Sequence, residues 1–155
     1  MNIYIASSWK NVHAVELLTC ELRSMGHEVH SFVENNFGEW DTEKRPDPMP
    51  FDEWVLSESG KQAFDFDTAW ASKSDLMIYV GPSGVDAWAE VGIAWACDLV
   101  IFGLHAKGEP SGLMRRLMNR WTSHSSELLG WVREMEQGVK VTAADAAGGG
   151  RERKG

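Results

Sequence analysis

The first thirty-odd residues leave the backbone very few ways to turn. Asn2-Ile-Tyr-Ile-Ala6 is a short β-rich run that ends in Ser7-Ser-Trp-Lys10. Asn11 then caps a helical pattern that reaches Met25, with Gly26 just beyond its end. Val15, Leu18, Leu22 and Met25 recur at helical spacing and form the inward stripe. His27-Glu-Val-His-Ser-Phe-Val33 reads as a second strand. A strand, helix, strand unit of this length is parallel and right-handed almost without exception, because a twisted strand and a right-handed helix pack back onto the sheet only that way.

The rest of the chain continues the alternation. Residues 34–50 are rich in Asn, Gly, Asp and Pro, with prolines at 46, 48 and 50, and read as a long loop. A stretch of that length without periodicity in a small domain is either disordered or a functional lid, and Phe37 and Trp40 would suit a lid over a ring-bearing ligand. Phe51 to Ser72 reads as helix, broken near Ser59-Gly60, with Trp54, Val55, Phe64 and Trp70 inward. Leu76-Met-Ile-Tyr-Val80 and Leu99-Val-Ile-Phe-Gly-Leu104 are apolar throughout, as strands buried on both faces are. Ser111 to Trp121 reads as a helix with a basic face of Arg115, Arg116 and Arg120. Ser123 to Gln137 reads as a last helix, with Leu128, Trp131, Val132 and Met135 inward, and Val139-Lys-Val141 as a short closing strand. The expectation is one α/β domain over residues 1–141, a flavodoxin-like or Rossmann-like doubly wound parallel sheet of order 2-1-3-4-5 in three α/β/α layers. The Gly- and Ala-rich residues 142–155 are expected to form a flexible tail.

That order says where a ligand would sit. Ligands of wound sheets bind beyond the carboxyl ends of the strands where the winding reverses, here between the first and third strands. The first ends in Ser7-Ser-Trp-Lys10 and the third in Gly81-Pro-Ser-Gly-Val-Asp86, so hydroxyls, a lysine, a tryptophan and backbone amides meet in one crevice. The helix after Gly84 places Asp86 and Glu90 one turn apart near its positive end, with Val85, Trp88, Val91 and Trp95 expected on its buried face. Each of these residues also has a plainer reading. Asp86 fits a helix cap, Glu90 a solvated side chain, Tyr4 an aromatic packed under the first helix, Ser8 a capping hydroxyl, Ser83 a turn residue and Lys10 a solvated cation. Trp9 fits either base stacking or core burial.

Composition narrows the partners. The chain has 155 residues, 43% of them hydrophobic, enough for a core that folds alone. A net charge of −8 argues against binding nucleic acid or an anionic membrane through counterion release, which leaves a small-molecule partner. No apolar run reaches membrane-spanning length and no leader pattern opens the chain, so the cytoplasm is the expected location. Cys20 and Cys97 are too few for a disulfide framework and are expected as reduced, buried thiols. The eight tryptophans exceed what one small core is expected to bury.

No phosphate loop, Gly-x-Gly-x-x-Gly turn or Gly-x-Ser-x-Gly elbow is present. The five histidines lack metal-ligand spacing, so neither metal nor cofactor is expected. What remains is carboxylate chemistry in a polar crevice. A glutamate held at a sugar's anomeric carbon can form a covalent glycosyl intermediate or stabilise an oxocarbenium-like transition state, while a second carboxyl group moves the proton.

Ile3-Tyr-Ile-Ala-Ser-Ser-Trp9, Gly26-His-Glu-Val29, the aspartates before Lys73-Ser-Asp75 and above all Ala89-Glu-Val-Gly-Ile-Ala94 carry a resemblance. Over residues 1–118 the chain resembles the nucleoside 2-deoxyribosyltransferase superfamily, which includes the nucleoside 5′-monophosphate N-glycosidases. The resemblance implies cleavage of an N-glycosidic bond by hydrolysis or transfer, with Glu90 as nucleophile, Tyr4 positioning it and the sugar, and Asp67 (or, failing it, Asp65) acting at the base. It implies that Ser8, Lys10 and Ser83 hold a 5′-phosphate. It also implies a homodimer or higher homo-oligomer in which the segment Pro110-Ser-Gly-Leu-Met114 completes a neighbour's site. Gly112 stands where the family has a polar residue, which leaves Ser111 as the candidate there. The Trp88-Ala-Glu90 spacing also resembles Toll/interleukin receptor-like domains that cleave nicotinamide from NAD, and a sensor that binds a nucleotide without cleaving it is a third reading.

Overall fold

The computed structural model describes residues 1–35, 50–110, 112–139 and 141. The lid expected from Phe37 and Trp40, the tail at 142–155, Ser111 and part of the strand expected at 139–141 lie outside the described residues.

The strands β1 (Asn2–Ala6), β2 (Glu28–Ser31), β3 (Leu76–Val80), β4 (Val100–Leu104) and β5 (Arg120–Thr122) form one parallel sheet of order β2-β1-β3-β4-β5. Alternation along the strands sorts side chains onto two buried faces. Ile3, Ile5, Leu76, Ile78, Val80 and Phe102 pack with α1 (Val12–Ser24) and α6 (Ser125–Glu136). Tyr4, Ala6, Met77, Tyr79 and Ile101 pack with α4 (Glu58–Lys73) and α5 (Val85–Ala96). The short helices α2 (Phe32–Asn35) and α3 (Phe51–Val55) complete the described helical set, with 3₁₀ turns at Trp9–Asn11 and Leu113–Leu117.

Several sequence expectations are corrected. The helix expected over 111–121 is only the 3₁₀ turn; the chain extends at Met118 and then supplies β5, so Trp121 and Thr122 behave as strand formers. The break between α3 and α4 falls at Leu56-Ser57 rather than at Ser59-Gly60. Ser57 caps α4 by accepting from the Gly60 amide, and its hydroxyl donates to the Trp54 carbonyl. Val55 and Phe64 are exposed. The buried stripe of α5 is Ala87, Val91 and Ala94, because small residues let this helix lie close on the sheet; Val85 and Trp95 face out, 82% and 57% exposed. Cys20 and Cys97 are both exposed, since Cys20 lies off the inward stripe of α1 and Cys97 caps the end of α5.

Candidate active site

The site lies on the α4/α5 side of the sheet, around the central strand. Tyr4 points from β1 into that face and is fully buried. Its hydroxyl donates to Asp67 Oδ1 at 3.0 Å. Glu90, from α5, faces the same hydroxyl and the Asp67 carboxylate. Asp86, one turn earlier on α5, is exposed but close enough for its charge to act on both carboxyls. Asp65 turns outward and pairs with Lys61. The sheet thus brings together Tyr4, Asp67, Glu90 and Asp86 from β1, α4 and α5.

Electrostatics follow from that crowding. Burial pushes the Glu90 carboxyl up to about 8; the Asp67 charge adds to this, the Tyr4 hydroxyl opposes it, and Asp86 adds a little more. Burial likewise raises Asp67 to about 6, against the Tyr4 hydrogen bond. Tyr4 itself is driven well above the usual phenol range by burial and then by the Glu90 and Asp67 charges, so its hydroxyl keeps its proton. The pair therefore holds one shared proton between about pH 6 and about pH 8.

The two loops at the winding reversal are stapled by one side chain. Asn11 is placed to cap α1 but makes no capping bond. Its amide donates instead to Ser7 Oγ (3.0 Å), the Val80 carbonyl (3.2 Å) and the Pro82 carbonyl (2.8 Å), while Ser7 Oγ donates to the Val80 carbonyl at 2.6 Å. Sequence reading gave Asn11 only its helix-start role, which asparagine fills equally well. Asn11→Ala removes these three bonds, leaving the Val80 carbonyl to Ser7 alone and the Pro82 carbonyl to solvent, and is expected to cost roughly 1 to 3 kcal/mol. Urea unfolding should show a lower midpoint at unchanged slope.

The remaining candidates sit around this staple. The Ser8 hydroxyl is buried with no hydrogen-bond partner among the described residues, and the Ser83 hydroxyl is buried beside that of Tyr79 without a well-formed bond. Trp9 is neither sunk in the core nor free: it is 43% exposed and packs edge-on against Phe32, ring centroids 4.8 Å apart. Lys10 is exposed. Among the described residues no group of three or more His, Cys, Asp or Glu is placed to hold a metal ion, and no helix is long and apolar enough to cross a membrane.

A parallel sheet of order β2-β1-β3-β4-β5 with helices on both faces is the doubly wound α/β fold, and the paired carboxyls lie beside the strands where its winding reverses. Two solved structures share this fold. One is a 2-deoxyribosyltransferase of Bacillus psychrosaccharolyticus, at TM-score 0.59 and 16% identity, covering 83% of this chain and 90% of that one. The other is the CMP N-glycosidase BcmB of Clostridium botulinum, at TM-score 0.55 and 18% identity, covering 86% and 99%. No family model matches the sequence, and no curated protein matches it significantly.

Proposed function

We propose that this protein breaks the N-glycosidic bond of a nucleoside or nucleoside 5′-monophosphate, passing the sugar to water or to another base. The observation that carries the reading is the buried Tyr4 hydroxyl shared by two carboxyls from different helices, Asp67 and Glu90, one of them protonated near neutrality. Near neutrality the shared proton lies mainly on Glu90, and its passage to Asp67 gives the reactive form: Glu90, now a carboxylate, attacks the anomeric carbon; the bond to the base breaks, its electrons go to the base nitrogen, and the Asp67 carboxyl supplies the proton. Asp67, now a carboxylate, takes a proton from water or an incoming base. That nucleophile attacks the anomeric carbon and releases Glu90. Tyr4 orients Glu90 and stays protonated throughout. The buried Ser8 and Ser83 hydroxyls, with Lys10 nearby in sequence, suit the oxygens of a 5′-phosphate, and Trp9 offers an exposed ring for the base. Of the two solved structures that share the fold, one is named a 2-deoxyribosyltransferase and the other a CMP N-glycosidase, names that fit this bond.

The test is to incubate the protein with nucleosides, nucleoside monophosphates and NAD and to measure released base chromatographically. Base from a nucleoside or monophosphate is the expected result. Nicotinamide from NAD alone would move the assignment to the NAD-cleaving reading, and a ligand-raised melting temperature without cleavage would move it to a sensor.

Val85 and Trp95 of α5 and Leu113 and Met114 of the 3₁₀ turn that contacts it are all exposed, and large apolar side chains left open on touching elements are what an interface covers. A homodimer through this face is part of the proposal. Sedimentation velocity should give twice the chain mass for the native protein and the single-chain mass for Trp95→Glu.

A further inference from the structure

Beside the candidate site lies a second buried polar group that the proposed chemistry does not use. Glu109 follows β4 in the turn before the 3₁₀ segment, and its side chain is only 7% exposed. One carboxylate oxygen accepts from the Tyr79 hydroxyl at 2.9 Å. The other accepts from the Ala106 amide at 3.2 Å and lies 3.2 Å from His105 Nδ1, which Arg115 also reaches at 3.0 Å. The carboxylate sits directly over Gly81, where a side-chain carbon would run into it. Two routes lead from Glu109 to α5. Through Gly81 it presses on the loop that runs into the helix. Through Tyr79 it holds a fully buried ring that packs on Trp88, centroids 4.7 Å apart, two residues before Glu90.

We infer that Glu109 is a positioning residue: by pinning the Tyr79 hydroxyl and the backbone at Gly81 it fixes the start of α5 and so aims Glu90 at Tyr4 and Asp67. It touches no substrate. A buried carboxylate that has three partners and fills the space above a glycine has little freedom, so it transmits position rather than absorbing it. Losing it takes the carboxylate acceptor from the Tyr79 hydroxyl, leaving Ser83 as its polar neighbour, and opens a void above Gly81, beside the loop that leads into α5. The role rests on the function proposed above only in so far as Glu90 is the group being aimed.

The test compares Glu109→Ala, Glu109→Gln and Tyr79→Phe with the native protein, using carboxyl-carbon NMR titration of Glu90 assigned by its loss in Glu90→Gln. Asp67, Asp86 and Tyr4 face Glu90 and are unchanged in every variant, so a moved midpoint reports a moved Glu90. In Glu109→Ala the Glu90 midpoint should fall by about one unit as the carboxyl drifts toward water. Glu109→Gln, which keeps an acceptor for Tyr79, should restore most of it, and Tyr79→Phe should fall between. Turnover per folded molecule should drop about tenfold or more in Glu109→Ala, in kcat rather than KM. An unmoved Glu90 midpoint in a folded Glu109→Ala or Tyr79→Phe variant overturns the inference. If the native protein releases no base while the midpoint still moves with Glu109, the function fails and the positioning role stands.

Discussion

Replacing Glu90 by glutamine is expected to slow base release by roughly 10³- to 10⁶-fold while making the protein harder to unfold in alkaline solution. Both effects come from the same burial. A carboxyl raised to about 8 in the fold, against 4.5 for its ordinary value, binds its proton more tightly folded than unfolded. Its contribution to stability is therefore complete below about pH 4.5 and is lost as pH rises through about 8. Glutamine cannot ionise, so it avoids that loss while still filling the space beside Tyr4. The gain above pH 8 should be on the order of 2 to 4 kcal/mol, moderated because Asp67 shares the proton. Thermal melts of both proteins across pH 5 to 9 read this directly. The native protein should lose stability as pH climbs, and the two curves should separate progressively. A glutamine variant that keeps native turnover would remove Glu90 from the chemistry; parallel melting curves would mean that the side chain is solvated.

The second large effect concerns pH and Asp67. On the proposed chemistry the reactive form carries a single proton on the pair, passed from Glu90 to Asp67, so kcat/KM should follow a bell with limbs near 6 and near 8. Tyr4, bonded to Asp67 and facing Glu90, lies where that proton can be redistributed. Asp67→Asn removes the proton donor and a neighbouring negative charge together. Turnover should fall by roughly 10² to 10⁴. The bell should become one rising limb with a midpoint below that of native Glu90, because the Asp67 charge no longer opposes ionisation. A bell that persists unchanged in Asp67→Asn would mean that its limbs belong to other groups.

Much of the architecture was legible from residue order. The opening β1, α1, β2 unit set the hand of the winding, and the apolar runs at 76–80 and 99–104 could only be interior strands. The order of the first four strands follows from these. The fifth was misplaced because Ser111 to Trp121 carries helix-forming residues, and what makes Arg120–Thr122 a strand is its pairing with Phe102–Leu104, which lies outside any local window. The α5 stripe was misread for a related reason. Periodicity weights large apolar residues, whereas the sheet accepts Ala87 and Ala94 and leaves Val85 and Trp95 outside.

The candidate site was legible where motif and topology agreed, as at Tyr4, Asp67 and Glu90. Asn11 and Glu109 were not, because a cap-forming asparagine and a glutamate in a turn have ordinary local explanations. Their partners lie some seventy and thirty positions away in the chain.

The Asn11 staple has a bearing on how a ligand would be received. Its amide is already committed to both rims of the crevice, Ser7 on one side and the Val80 and Pro82 carbonyls on the other. Spreading those rims would sacrifice several bonds at once, so the width of the opening is set before any molecule arrives. Recognition at this mouth would then be by preformed fit, and encounter would depend on the shape of the incoming molecule more than on how fast the walls fluctuate.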